Sequence, residues 1–205
     1  MNKTNTFIRQ WDTHESGVIT FPSGARIRGR PIHYYKTCRN SPDHILILSC
    51  FYPRHPPKAE VHWIKWPDFC LPVNTLKTRH ALELTLERAT YSRVDIACRG
   101  GVGRTGTALA CIAILDGMDP ASALKFIRDT YHPRAAETPW QRWYISNFAP
   151  TPSQQVSHTG QMENGNSKRK HHHSRYAVHH ADSDVSELSG RRGSKDKKGR
   201  LLCRC

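Results

Sequence analysis

Hydrophobic spacing along the chain switches repeatedly between the two-residue period of strands and the longer period of helices, and the switches outline an order of elements. Gly17 to Phe21 and Ala25 to Arg28, separated by Pro-Ser-Gly, read as a β-hairpin. Ile45 to Phe51 is an almost unbroken apolar run, the pattern of a strand covered on both faces, and Val61 to Lys65 is a second candidate strand. Residues 73–90 are long enough for a helix, although Leu82, Leu84 and Leu86 alternate in the manner of a strand. Arg93 to Ala97 is then a short strand. From Arg104 to Leu115 the apolar positions Ala108, Cys111, Ile112 and Leu115 follow helical spacing, and Gly117 closes the element. Asp119 and Pro120 supply an N-cap and a first-turn proline for another helix, in which Leu124, Ile127 and Tyr131 share a face until Pro133. A last helix spans Thr138 to Phe148. Strands alternating with helices predict an α/β fold with a largely parallel central sheet flanked by helices. No internal repeat is visible.

The apolar supply ends abruptly. All five Trp and all six Phe of the 205-residue chain precede residue 150, and beyond Pro150 the chain turns to Ser, Gly, Gln, Asn, His, Lys and Arg. Residues 1–150 are therefore expected to form one domain and residues 151–205 a disordered tail. The formal charge of +14 divides between the two: 20 Lys/Arg against 12 Asp/Glu up to residue 150, and 11 against 5 beyond it, or +8 and +6. Such a surface attracts anions in general, whether phosphorylated proteins, phosphoinositides or nucleic acid. The tail, with Lys168-Arg169-Lys170 and three histidines from His171 to His173, reads first as a solvated extension without a defined partner. Its alternative is an electrostatic tether to nucleic acid or acidic surfaces. No stretch approaches twenty apolar residues and no signal-peptide pattern opens the chain, so no transmembrane segment and a cytoplasmic location are expected. Seven irregularly spaced cysteines suggest neither a disulfide framework nor a zinc site, and Cys203 and Cys205 do not form a prenylation motif. Reduced thiols are expected, which leaves one free to act as a nucleophile.

Most of the chemical information lies between the strand ending near Ala97 and the helix starting at Arg104. There the chain reads Cys98-Arg99-Gly100-Gly101-Val102-Gly103-Arg104-Thr105-Gly106. Gly100, Gly101 and Gly103 let the backbone curl so that successive amides face one point, and the following helix adds unsatisfied N–H groups and the positive end of its dipole. Such a loop suits a phosphate dianion, and Arg104 can offer a planar two-donor fork to two of its oxygens. The nucleotide-binding pattern G-x-x-x-x-G-K-[ST] is excluded, because Cys98 and Arg104 stand where it needs glycine and lysine. Gly101, Gly103 and Gly106 do match a dinucleotide fingerprint, but the acidic residue it requires would fall near Asp129, inside a helical pattern. A third chemistry uses Cys98 itself. A thiolate among inward amides, beside an arginine and a helix N-terminus, is stabilised and poised to attack a bound phosphorus atom. Bare Cys-x5-Arg spacing is a weak signal; the glycines, Thr105-Gly106 and the strand-to-helix setting make it specific.

The segment resembles the signature of the cysteine-based protein tyrosine phosphatases, nearest in size to the compact dual-specificity type. Trp66-Pro67-Asp68, followed by Phe69-Cys70-Leu71-Pro72, resembles the family's mobile W-P-D loop and precedes the cysteine in the family's order. The resemblance implies a protein tyrosine phosphatase fold and a covalent mechanism. Cys98 would attack to form a phosphocysteine, while Arg104 and the loop from Arg99 through Gly100, Gly101 and Val102 to Gly103 would hold the phosphoryl oxygens. Asp68 would protonate the leaving oxygen and then serve as base, Gln141 would orient the hydrolytic water, and Thr105 would donate its hydroxyl to the thiolate. Because the mechanism is covalent, no metal and no organic cofactor is needed.

Departures from the pattern narrow the expectation. Ala97 stands where many members carry histidine, so the network that sets the thiol acidity must differ. Cys70 occupies a position where glycine is common, and it raises the idea of a protective disulfide with Cys98 on oxidation. Of two loop positions that are basic in phosphoinositide phosphatases, Arg99 is retained while the other is Val102, which leans toward phosphorylated protein or peptide substrates. Tyr34 and Tyr35 could grip a phenyl ring, though packing against the sheet is the preferred reading for both. Phosphotyrosine, with some tolerance for phosphoserine or phosphothreonine, is the expected substrate class. The alternatives are a phosphoinositide or RNA 5′-phosphate phosphatase and a non-catalytic phosphate-binding module.

Overall fold

A computed structural model describes residues 9–36 and 40–148. The expectations for the basic tail, and for Cys203 and Cys205, lie outside the described residues. β1 (Val18–Thr20) and β2 (Arg26–Pro31) form the expected hairpin, antiparallel, with Val18 opposite Arg28. A short 3-10 segment, Ile32–Lys36, follows. β3 (His44–Ser49), β4 (Glu60–Lys65) and β5 (Val94–Cys98) complete a five-stranded sheet of order β1-β2-β5-β3-β4. Apart from the β1 edge every pairing is parallel. The apolar run expected to stay in the sheet through Phe51 leaves it at Ser49. There the Ser49 hydroxyl donates to the Phe51 carbonyl at 2.6 Å, a local turn that carries the Phe51 ring out to solvent.

The helices are α1 (Thr75–Ala89), α2 (Gly103–Leu115), α3 (Pro120–Thr130) and α4 (Pro139–Ser146). The strand-like alternation of Leu82, Leu84 and Leu86 is overridden in α1, because threonines occupy part of the core face. Thr78, Ala81, Leu82, Thr85 and Ala89 are the buried positions, at helical spacing. The Thr78 and Thr85 hydroxyls donate to the Asn74 and Ala81 carbonyls at 2.7 and 2.6 Å, which lets polar residues occupy apolar positions. α2 is buried along its whole length, as an apolar helix between a sheet and other helices must be. α3 starts on the expected cap: Asp119 Oδ1 accepts from the amides of Ala121 and Ser122 at 3.1 and 3.0 Å.

Alternate residues of the central strands enter two clusters. Leu46, Leu48, Ile96 and Cys98 join α1, α2, α3 and α4 in the main core, while Ile45, Ile47 and Ala97 face Ile32, Tyr35, Val61 and Trp63. On that second side β5 also carries Asp95, fully buried. Arg28 meets its carboxylate with two hydrogen bonds of 3.0 Å, Tyr35 donates a third at 2.8 Å, and the Arg28 guanidinium lies 3.4 Å from the centre of the Trp11 ring. Burial pushes the Asp95 carboxyl up despite the opposing arginine, and burial beside Asp95 pushes the Tyr35 phenol far up. The network ties β2 and the 3-10 segment to β5 just before Cys98, so the strand that carries the loop is fixed on both sides.

Candidate active site

Pro31, Cys98 and Leu48 lie in register at the carboxyl ends of β2, β5 and β3, the edge where parallel sheets bind their ligands. From Cys98 the chain turns through Arg99 and Gly100, both exposed, then Gly101, Val102 and the start of α2. Gly101 adopts φ +70°, and an added Cβ there would lie 2.6 Å from Pro31 N. Only glycine allows the loop to pass this close to β2. This conformation aims the Gly101 amide at Cys98 Sγ, 3.2 Å away. The Cys98 thiol is free and only 2% exposed. Val102 provides no side-chain cap for α2, so the first-turn amides have no side-chain acceptor from that position. An anion could take that place.

Arg104 projects from the first turn of α2 and is 4% exposed. Its Nη1 donates to the Trp66 carbonyl at 3.0 Å, and its Nη2 lies 2.8 Å from Asp68 Oδ1. Two motifs thirty residues apart in the sequence thus meet on one guanidinium. The Trp66-Pro67-Asp68 segment is pinned from behind as well: the Trp66 indole is buried, donates to the Cys70 carbonyl at 2.7 Å and stands edge-on to Tyr144 of α4.

The fold matches known phosphatases. Tk-PTP in its active form is 23% identical with a TM-score of 0.53, the match covering 64% of this chain and 95% of that chain. A glycine-to-alanine mutant form of Tk-PTP gives 22% and 0.54, covering 64% and 93%. The core catalytic domain of the PP-IP phosphatase SIW14 from S. cerevisiae, in complex with citrate, is 18% identical with a TM-score of 0.45, covering 65% and 84%. Residues 53–135, which hold both motifs, match the sequence model of the family described as Protein-tyrosine phosphatase. Over those residues the chain is similar to the protein tyrosine phosphatases, and its fold is theirs.

Around the Cys98 loop the remaining expected residues fall into distinct settings. Gln141 is buried beside the loop, its Oε1 3.3 Å from where a Cβ on Gly103 would sit, with a carboxylate oxygen of Glu137 closer still. That Oε1 accepts from the Thr138 amide at 3.2 Å while Thr138 Oγ1 accepts from the Gln141 amide at 3.3 Å. Gln141 is therefore the N3 residue of a capping box as well as a neighbour of the site, a duty not anticipated from its spacing. The Thr105 hydroxyl is buried and makes no hydrogen bond among the described residues, to Cys98 or to anything else. Against the expectation of reduced thiols, Cys70 is disulfide-bonded, while Cys98 is free, so the two do not bridge one another. Tyr35 packs against the sheet as expected, whereas Tyr34 is exposed, stacked on His33 and 6.0 Å from the Arg30 guanidinium.

Two residues of the site were not singled out in the sequence. Tyr131, read as the end of a helix face, donates its hydroxyl to the Gly101 carbonyl and lays its ring on Gly29. Burial and the neighbouring Cys98 push its phenol up, keeping it a donor. Trp140 donates its indole N–H to the Phe69 carbonyl. Neither contact has a local sequence signal, since each joins segments brought together only by the fold. No helix among the described residues is long and apolar enough to cross a membrane.

Proposed function

We propose that residues 1–150 form a phosphatase domain that hydrolyses phosphorylated proteins or peptides, phosphotyrosine foremost, through a phosphocysteine at Cys98. The observation that carries this reading is the contact between Asp68 and Arg104 at 2.8 Å, beside a Cys98 sulfur that already receives a loop amide. In the first step the Cys98 thiolate forms a bond to phosphorus as the ester P–O bond breaks, and Asp68, in its acid form, gives its proton to the departing oxygen. Arg104 and the amides of the loop stabilise the equatorial oxygens. In the second step water attacks phosphorus, Asp68 takes its proton, and the P–S bond breaks to return the thiolate. Gln141 orients that water, and the unpartnered Thr105 hydroxyl turns toward the departing sulfur.

The rim supports an aryl substrate. Phe69, next to Asp68, and Trp140, which donates to the Phe69 carbonyl, present half-exposed rings beside the acid, and Tyr34, shortly after the Pro31 end of β2, is half-exposed as well; such faces suit contact with a phenyl ring. The experiment is release of phosphate, with chelator present, from a phosphotyrosine peptide and from a phosphoinositide, by wild type, Cys98→Ser and Asp68→Ala. Turnover of the peptide that Cys98→Ser abolishes and Asp68→Ala slows by roughly 10²–10⁴-fold supports the mechanism. Preference for the phosphoinositide would overturn the substrate class, and peptide binding without turnover by the reduced wild type would overturn catalysis.

A further inference from the structure

The segment bearing Asp68 has to be held over the loop for its carboxyl to reach a leaving oxygen, and the hydrogen bonds within the segment do not do this. The Phe69 amide donates to Asp68 Oδ1 at 3.2 Å, the Cys70 amide to the Pro67 carbonyl at 3.2 Å, and the Trp66 indole to the Cys70 carbonyl. These shape the turn; the Trp66 amide on the Ser49 carbonyl at 3.0 Å, the Val73 amide on the Lys65 carbonyl at 3.1 Å and the disulfide-bonded Cys70 fix its flanks, but none of these ties acts on Asp68 or on the Phe69 carbonyl beside it. Arg104 does reach it, but Arg104 must also bind the substrate phosphate, so its hold on Asp68 is loosened when it is needed.

A tie from another element is present. Phe69 sits in the left-handed region at φ +57°, an uncommon conformation for an aromatic residue, and its carbonyl accepts from the Trp140 indole N–H. Trp140 stands at the start of α4, immediately after Pro139 and next to Gln141 of the capping box, a helix end whose backbone is already ordered. Lower on the same helix, Tyr144 contacts the Trp66 ring. α4 therefore grips the segment on both sides of Asp68. We propose that Trp140 is a positioning residue that latches the acid-bearing segment over the loop, acting through the Phe69 carbonyl. This rests on the reading of Asp68 as general acid.

A latch of this kind makes a specific demand. General acid catalysis matters most when the leaving oxygen is a strong base, so weakening the latch should cost activity on phenyl phosphate and little on 4-nitrophenyl phosphate. Trp140→Phe keeps a ring and removes the donor, while Trp140→Gln keeps a donor of similar reach and removes the ring. The expected loss of kcat/KM for Trp140→Phe is about threefold to tenfold on phenyl phosphate, the change that one hydrogen bond can make, and under about twofold on 4-nitrophenyl phosphate. Trp140→Gln should stay closer to wild type across the series. Trp143→Phe, an exposed tryptophan of the same helix, should be unaffected. Equal losses on both substrates, or none on either, would overturn the latch. Asp68→Asn is the reference: if it too fails to steepen the leaving-group dependence, the reading of Asp68 fails, whereas if it alone steepens it, only the latch fails. Independently of any variant, the Trp140 indole proton of the wild type should exchange with solvent several-fold more slowly than that of Trp143, and equal rates would also overturn the proposal.

Discussion

Gly100 and Gly101 are neighbours of the same residue type, yet replacing each by alanine should have very different consequences. At Gly101 the backbone has φ +70°, and holding alanine in the left-handed region costs about 1–2 kcal/mol. The new methyl would also lie 2.6, 2.7 and 2.8 Å from Pro31 N, Pro31 Cδ and the Arg30 carbonyl carbon. These are backbone and ring atoms of β2, which cannot swing aside, and overpacking of this kind adds about 1–3 kcal/mol. Gly101→Ala should therefore destabilise by about 2–5 kcal/mol. The shift that relieves the clash moves both the amide facing Cys98 Sγ and the carbonyl held by Tyr131, so kcat/KM should fall on the order of a hundredfold. At Gly100 nothing lies within 4 Å of the added methyl, and a change within about 0.5 kcal/mol is expected. Urea unfolding midpoints at constant m-value, with kcat/KM on an aryl phosphate, measure both quantities. Similar effects at the two positions would refute the argument that the approach of the loop to β2 shapes the site.

Arg28→Met should cost about 3–5 kcal/mol at neutral pH by leaving Asp95 buried without its main partner, and the penalty should shrink at lower pH as Asp95 takes up a proton; urea titrations at two pH values test this. Gln141→Ala should lose about 1 kcal/mol through the capping box while Gln141→Glu keeps most of it, as read by thermal unfolding. If Gln141 also orients the hydrolytic water, Gln141→Ala should show a pre-steady-state burst of leaving group. Burial and Arg88 push the His44 imidazole below its ordinary value of 6.5, against the pull of Glu60 and Asp43 and with His62 adding to the fall. The unfolded chain then binds more protons than the folded one, so the stability from neutral His44 is complete above about 6.5 and is lost as pH falls through the lowered value. His44→Gln should flatten the drop in unfolding temperature between pH 7.5 and 5.5, and an unchanged drop would refute it.

What could be read along the chain was whatever depends on near neighbours. The hairpin, the capped start of α3 and the strand, glycine loop and helix around Cys98 all draw their signals from a few consecutive residues. The buried face of α1 was obscured because Thr78 and Thr85 look polar in a sequence but satisfy their hydroxyls on the preceding turn. Phe51 looked like part of a strand because apolarity alone does not mark where a ladder stops.

Local chemistry thus determined the candidate reacting groups of this protein: a cysteine in a glycine loop, an arginine at the head of a helix, and an acidic residue on a separate loop. Their order in the chain says nothing about distance. The tertiary structure decided that β5 lies between β2 and β3, that Asp68 comes to 2.8 Å from Arg104, and that Tyr131 and Trp140 hold the two loops from behind. The physical reason is that strand order and loop-to-loop hydrogen bonds are set by burial of the whole sheet against its helices. No short window of sequence carries that sum.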